Sequence, residues 1–238
     1  MTQDSCIATR IAQVRQRIEE LTLAAGRPSG SVQLLAVSKT FGVDAIRDAM
    51  AAGQIRFGEN KAQEIREKSQ ELADTNVRWV MIGHLQTNKA RDIARHAHEI
   101  QSLDRVELAQ ALERRLQQEG RVLDALVQVK TSSEPSKFGL DPAELEDFLA
   151  YLSNEAPSLR VQGLMTMAVN DDDREAVRAC FRRLRELRDA ADRKAIPGIS
   201  LGRLSMGMSG DYDLAIAEGS TEVRIGSAIF GDRSYTSS

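Results

Sequence analysis

From Ile7 onward the apolar residues Ile7, Ile11, Val14, Ile18 and Leu21 recur at alternating steps of four and three, the spacing of one helical face. Gly26 and Pro28 supply the stop signal. Segment 1–27 is therefore read as a helix that packs on whatever follows it. Beyond it the pattern changes to short apolar runs at 34–38, 55–58, 79–83, 99–103, 126–129, 161–165, 199–205 and 222–225. Longer helical patterns separate them: Val106, Ala109, Leu112 and Leu116 form one stripe, and Val177, Phe181, Leu184, Leu187 and Ala191 another. Helix starts are marked at Asp141-Pro142-Ala143-Glu144, which joins a capping side chain to a proline at the first helical position. Asp104 and Asn88 are expected to cap their own helices.

About eight strand–helix units in a chain of 238 residues fit a (β/α)₈ barrel better than an open doubly wound sheet. No Gly/Ser-rich linker, low-complexity tract or charge run marks a boundary. The expectation is one domain over 1–238, a TIM-type barrel with an additional N-terminal helix.

Composition narrows the partners. Lys and Arg total 32 against 35 Asp and Glu, a net charge of −3, so no global basic field points to nucleic acid or an anionic membrane. No stretch approaches the ~20 apolar residues of a membrane span. The N-terminus carries acids and has no apolar core of a signal peptide. Two distant cysteines, Cys6 and Cys180, read as thiols in a reducing compartment. A cytoplasmic protein is expected. His96 and His98, two residues apart, do not share a helix face and are read as solvated. With His84 they show no metal-ligand spacing.

Active sites on such barrels lie at the C-terminal ends of the strands, which turns the runs into candidates. They are Lys39; Glu59 and Asn60; Gly83 and His84; Ser102 and Asp104; Lys130 and Thr131; Thr166 and Met167; Ser205 and Met206; and Arg224, Gly226 and Ser227. For any one of them a cap or turn role is the commoner reading; their convergence carries the weight. Lys39 closes the apolar strand "VQLLAVSK", where desolvation favours the neutral amine that Schiff-base chemistry with an aldehyde requires. Lys130 and Lys61 are rivals, but neither follows so apolar a strand. "SMGMSG" from Ser205 supplies two glycines that let backbone N–H groups approach an anion. Gly226-Ser227-Ala228 opens a short helix whose N–H groups suit a phosphate. A lysine and a phosphate cradle on one barrel point to pyridoxal phosphate. Arg224 has two readings that stand level: a fixed positive charge near the cofactor's ring nitrogen, or an ion pair with Glu222 or another strand-end acid.

The motifs "LLAVSKT", "FGEN", "IGHLQTNKAR", "SKFGL", "GLMTMA", "LSMGMS" and "AEGSTEVRIGSAIFG" run in order from Leu34 to Arg233. With them the chain resembles the pyridoxal phosphate homeostasis proteins, single-domain relatives of the alanine racemase barrel (the type III fold of pyridoxal phosphate proteins). The resemblance implies that Lys39 forms the Schiff base, that Ser205, Gly226 and Ser227 hold the phosphate, and that Arg224 faces the pyridine nitrogen. It also implies that Asn60 lines the pocket. The implied role is intracellular pyridoxal phosphate homeostasis, influencing amino-acid and keto-acid balance without an established reaction. The chain departs from the family pattern at Lys61, Val80 and Lys130, where tyrosine, histidine and asparagine are common.

Three rival functions remain to be weighed. An amino-acid racemase on the same cofactor needs a second base, which related racemases take from an additional β domain; a chain ending at Ser238 is expected to lack room for it. A barrel binding a sugar or nucleotide phosphate would leave Lys39 without a partner. An interaction protein without a small ligand has no supporting feature, such as a large apolar surface stripe. The expected partners are pyridoxal phosphate itself and apo-enzymes that receive it, and the expected state is a monomer.

Overall fold

The computed structural model describes residues 3–132, 138–169 and 171–231, and of residues 3–6 the backbone alone. Ser136 and Lys137 of the "SKFGL" motif, Arg233, Ser238 and the Cys6 side chain lie outside that description. Among the described residues eight parallel strands close into a barrel in sequence order, with β1 paired to β8. They are β1 (Gln33–Val37), β2 (Arg56–Glu59), β3 (Arg78–Met81), β4 (Glu99–Leu103), β5 (Leu123–Gln128), β6 (Leu159–Met165), β7 (Arg203–Met208) and β8 (Glu222–Ile225). Helices α2 (Val43–Ala51), α3 (Ala62–Glu71), α4 (Ala90–His96), α5 (Val106–Glu119), α6 (Leu145–Glu155), α7 (Arg174–Asp192) and α8 (Tyr212–Ala217) fill the crossovers. A one-turn helix, α9 (Ser227–Phe230), follows β8. This is the (β/α)₈ architecture that the alternating pattern implies.

The added N-terminal helix, α1 (Gln3–Ala24), buries Ile7, Ile11, Val14 and Ile18 against the barrel, each a contribution of about 1.5–3 kcal/mol if fully removed from water. Polar locks fix its register. Arg15 donates to the carbonyls of Ala52 and Gly53, and Arg27 to those of Ile216 and Ser220. The α7 stripe is buried at Val177, Phe181, Leu184 and Ala191, and Cys180 is a buried free thiol beside it.

Several boundaries differ from the apolar runs, for physical reasons. The run at 199–205 starts too early and stops too soon. Leu201 is buried in the connection without joining the sheet, and β7 continues to Met208; hydrophobicity reports burial, not strand pairing. Gly83 falls outside β3, where the backbone passes so near Asn60 that a Cβ would sit 2.3 Å from its carbonyl oxygen. Asp141 caps as expected, accepting from the Ala143 N–H at 2.9 Å. Asp104 does not cap α5: its carboxylate turns to Arg105 and His84. Asn88 lies inside a 3₁₀ turn rather than at the start of α4. His96 and His98 are half-buried rather than solvated. Nδ1 of His96 meets the Ser69 hydroxyl at 2.9 Å, and Nδ1 of His98 accepts the Trp79 N–H at 3.2 Å.

The barrel interior is polar near its N-terminal end. Arg56 and Arg203 bridge the carboxylates of Glu99 and Glu222. Burial alone would raise the Glu222 carboxyl, but the two guanidinium groups outweigh it and hold the group below its usual value. Above this ionic layer Gln101 and Ser205 form a hydrogen-bonded tier, with the Ser205 hydroxyl 2.7 Å from the Gln101 side-chain oxygen.

Candidate cofactor site at the strand ends

A cavity of about 820 Å³ opens at the C-terminal ends of the strands, where β1, β2, β3, β5, β6, β7 and β8 each deliver residues to its wall. Of the residues singled out from sequence, Lys39, Asn60, Gly83, His84, Met167, Arg224, Gly226 and Ser227 line it. Among the described residues Lys39 is the only lysine that does so. Lys61 is exposed at the start of α3, and Lys130 follows β5 outside the cavity wall. Val80, the third departure, is buried in β3. A second cavity of about 330 Å³ lies between α1 and the N-terminal ends of β1 and β2 and contains none of these strand-end candidates.

Arg224 is buried on β8 yet reaches the cavity. Its guanidinium donates to the Ser205 carbonyl at 2.7 Å, to the Ser205 hydroxyl at 2.9 Å and to the Thr166 carbonyl at 2.7 Å. Glu222, two residues earlier on the same strand, is engaged by Arg56 and Arg203 instead. Among the described residues the ion pair of Arg224 with Glu222 is therefore not formed. Burial lowers the guanidinium to about 10, with Glu222 and Asp211 opposing the shift through space. It remains a cation at neutral pH, and those three bonds use three of its five N–H groups.

Ser205 is placed differently from the expectation. Its side chain is fully buried, off the cavity wall, and its hydroxyl lies among Gln101, Glu222 and Arg224. The cause is the length of β7: because the strand runs on to Met208, its C-terminal end is the Met208-Ser209-Gly210 segment, and these three residues line the cavity. The Ser209 and Ser227 hydroxyls approach to 3.3 Å and join the turn after β7 to the start of α9. The first N–H groups of α9 have no acceptor within the helix. Gly226 matters for a different reason from the one its sequence context implies. A Cβ there would meet the Val37 carbonyl at 3.0 Å, so the glycine allows the turn after β8 to lie against the strand that carries Lys39. Gly207 is required twice over, by its φ of 98° and by a would-be Cβ 2.6 Å from that of Ala215.

Gln128 and Phe138 are among the wall residues that no strand-end candidate anticipates, with Val37, Phe41, Ile82 and Gly231. Gln128 is the last residue of β5 and ties the Phe138 carbonyl at 2.9 Å. The Phe138 ring stacks on His84 with centroids 4.0 Å apart, and Nδ1 of His84 lies 3.6 Å from Asp104. The rim beside β3 is thus an aromatic pair backed by a carboxylate. Among the described residues no group of three or more His, Cys, Asp or Glu could hold a metal ion, and no helix is long and apolar enough to cross a membrane.

The sequence and the fold have known relatives. The sequence signature described as alanine racemase, N-terminal domain, matches residues 10–234. A relative from Pseudomonas aeruginosa, the pyridoxal phosphate homeostasis protein, is 45% identical over 97% of both chains. PipY of Synechococcus elongatus, solved with pyridoxal phosphate bound, superposes with a TM-score of 0.83 at 38% identity, covering 94% of this chain and all of that one. An alanine racemase from Clostridium difficile shares the fold at a TM-score of 0.75 and 14% identity, the match covering 98% of this chain and 58% of the racemase. The chain belongs to the alanine racemase N-terminal domain family, among its pyridoxal phosphate homeostasis proteins.

Proposed function

We propose that this barrel binds pyridoxal phosphate covalently at Lys39 and serves as a reservoir and regulator of the cofactor inside the cell. The observation that carries the proposal is the meeting, in one cavity, of Lys39, a buried guanidinium and a serine-glycine turn pair. The donor set fits the group. Lys39 offers a primary amine. Ser209, Gly210, Gly226 and Ser227 offer hydroxyl and backbone N–H donors of the kind that hold a phosphate. Arg224 is a fixed cation at the cavity wall. Pyridoxal phosphate supplies an aldehyde that condenses with a primary amine, losing one water, and a ring that withdraws electrons.

Each residue then has a task. Lys39 would hold the cofactor, and the turns after β7 and β8 its phosphate; Asn60 lines the same pocket. Arg224, braced by Ser205 and Thr166, would face the ring nitrogen with a group that donates a hydrogen bond and keeps its own proton. A ring nitrogen left unprotonated is a poorer electron sink, which favours storage over turnover. The unit that does this is the chain 1–238 as one domain, acting as a cytoplasmic monomer that passes its cofactor to apo-enzymes.

The test is functional. The loaded protein should restore activity to an apo-enzyme dependent on pyridoxal phosphate. With single-enantiomer alanine or serine it should show no sustained racemization, transamination or decarboxylation. Multiple turnovers on such a substrate, abolished by Lys39→Ala, would make it an enzyme instead.

A further inference from the structure

The turn that carries Lys39 is held by charged groups that take no part in lining the cavity. Lys68 of α3 is buried, and its ammonium donates to the Ser38 carbonyl at 3.1 Å, to Glu59 at 2.8 Å and to Glu64 at 2.9 Å. Glu64 also accepts the Thr40 N–H at 3.0 Å. The Ser38 hydroxyl donates to Glu59 at 2.6 Å, and the Phe41 N–H closes the turn onto the Ser38 carbonyl. The residues on either side of Lys39 are thus tied to one cluster through their backbones.

Two further features give the cluster a purpose beyond packing. Thr40 has a φ of 72°, a left-handed conformation that is a genuine outlier for a β-branched residue and persists only where its surroundings impose it. Burying a lysine against the buried Glu59, with Glu64 partly exposed beside them, is also an expensive way to seat a helix against a strand, since desolvation offsets much of the ion-pair attraction and an aliphatic contact would serve as well. What an aliphatic side chain lacks is an acceptor for the Thr40 N–H and a donor for the Ser38 carbonyl. We propose that Glu64 and Lys68 are positioning residues, a clamp on the 38–41 turn that aims the Lys39 amine into the cavity. This rests on the reading that Lys39 is the attachment point.

The step the clamp would assist is bond formation between the Lys39 nitrogen and the aldehyde carbon of pyridoxal phosphate, the aldehyde oxygen leaving as water. Alignment governs such a step steeply, because small misplacements of reacting groups cost large factors in rate. The experiment mixes pyridoxal phosphate with the full-length wild type, Lys68→Met, Glu64→Ala, Glu64→Gln and Lys39→Ala. It follows the visible band of the linked cofactor by stopped flow, and total binding by equilibrium dialysis. Lys68→Met and Glu64→Ala should bind the cofactor but form the band about tenfold more slowly or worse, with less of it linked at equilibrium. Glu64→Gln, whose amide oxygen still accepts the Thr40 N–H, should recover most of the rate. Glu64 is partly exposed, so its variants report even if Lys68→Met fails to fold.

Wild-type rate and yield in Glu64→Ala would overturn the clamp while leaving Lys39 as the attachment point. The clamp would also fall if Glu64→Gln were as slow as Glu64→Ala. A wild type that forms no band, or a band that survives in Lys39→Ala, would overturn the Lys39 reading and the clamp with it.

Discussion

Ser205 and Arg224 face each other inside the barrel: the serine carbonyl and hydroxyl both accept from the same guanidinium nitrogen, at 2.7 and 2.9 Å. The same hydroxyl lies 3.1 Å from Glu222. Ser205 is therefore the tier between the ionic layer below and the cation at the cavity wall. Ser205→Ala should loosen Arg224 and weaken pyridoxal phosphate binding by about fivefold, the worth of one hydrogen bond of about 1 kcal/mol. The ratio of affinities for pyridoxal phosphate and pyridoxal should stay as in the wild type. A collapse of that ratio would place Ser205 on the phosphate after all.

The phosphate contacts are expected at Ser209 and Ser227. Ser209→Ala and Ser227→Ala should each weaken pyridoxal phosphate binding by about tenfold, as expected for a hydrogen bond to a charged group, and leave pyridoxal binding nearly unchanged. Competition titrations with the two vitamers read both arms. Gly226→Val is a poorer probe, because its Cβ would press on Val37 and disturb the Lys39 strand directly.

Burial raises the Glu59 carboxyl from 4.5 to about 7, against the pull of Lys68 and the Ser38 hydroxyl, with Glu64 adding repulsion. The folded state then holds a proton that the unfolded chain has already lost between those values. Stability from this group is therefore present below 4.5 and is lost as pH rises to about 7, where it levels off. Glu59→Gln should remove that slope. Urea melts of both proteins across pH 4.5–7.5 should show the wild type losing stability relative to the variant as pH rises. A constant difference would mean that Glu59 titrates normally.

Much of this architecture was legible in the chain. Strands buried on both faces read as apolar runs, and the helical stripes of α1, α5 and α7 follow the 3.6-residue period. Counting strand ends was enough to bring Lys39, Asn60, Arg224, Gly226 and Ser227 to one wall. Ser205 was misplaced because strand length is not written in the local pattern. A register shift lies between Ser205 and Met208, and Arg224 pairs with Met208 while Ser205 pairs with Glu222. Lys68 and Glu64 were missed for another reason. Their helix, "AQEIREKSQE", is rich in charge, and only its docking against the turn after β1 buries Lys68 and brings the partly exposed Glu64 to the Thr40 N–H. His84 stood among the strand ends, but its stacking on Phe138 joins segments far apart in sequence.

Chemical trapping tests directly whether Lys39 is the lysine that bonds to the cofactor. The protein is loaded with pyridoxal phosphate, reduced with borohydride, digested and mapped by mass spectrometry. A phosphopyridoxyl group should appear on the peptide containing Lys39, and both adduct and visible band should be lost in a folded Lys39→Ala variant. Recovery of the adduct on Lys61 or Lys130, with Lys39 unmodified, would contradict Lys39 as the attachment point.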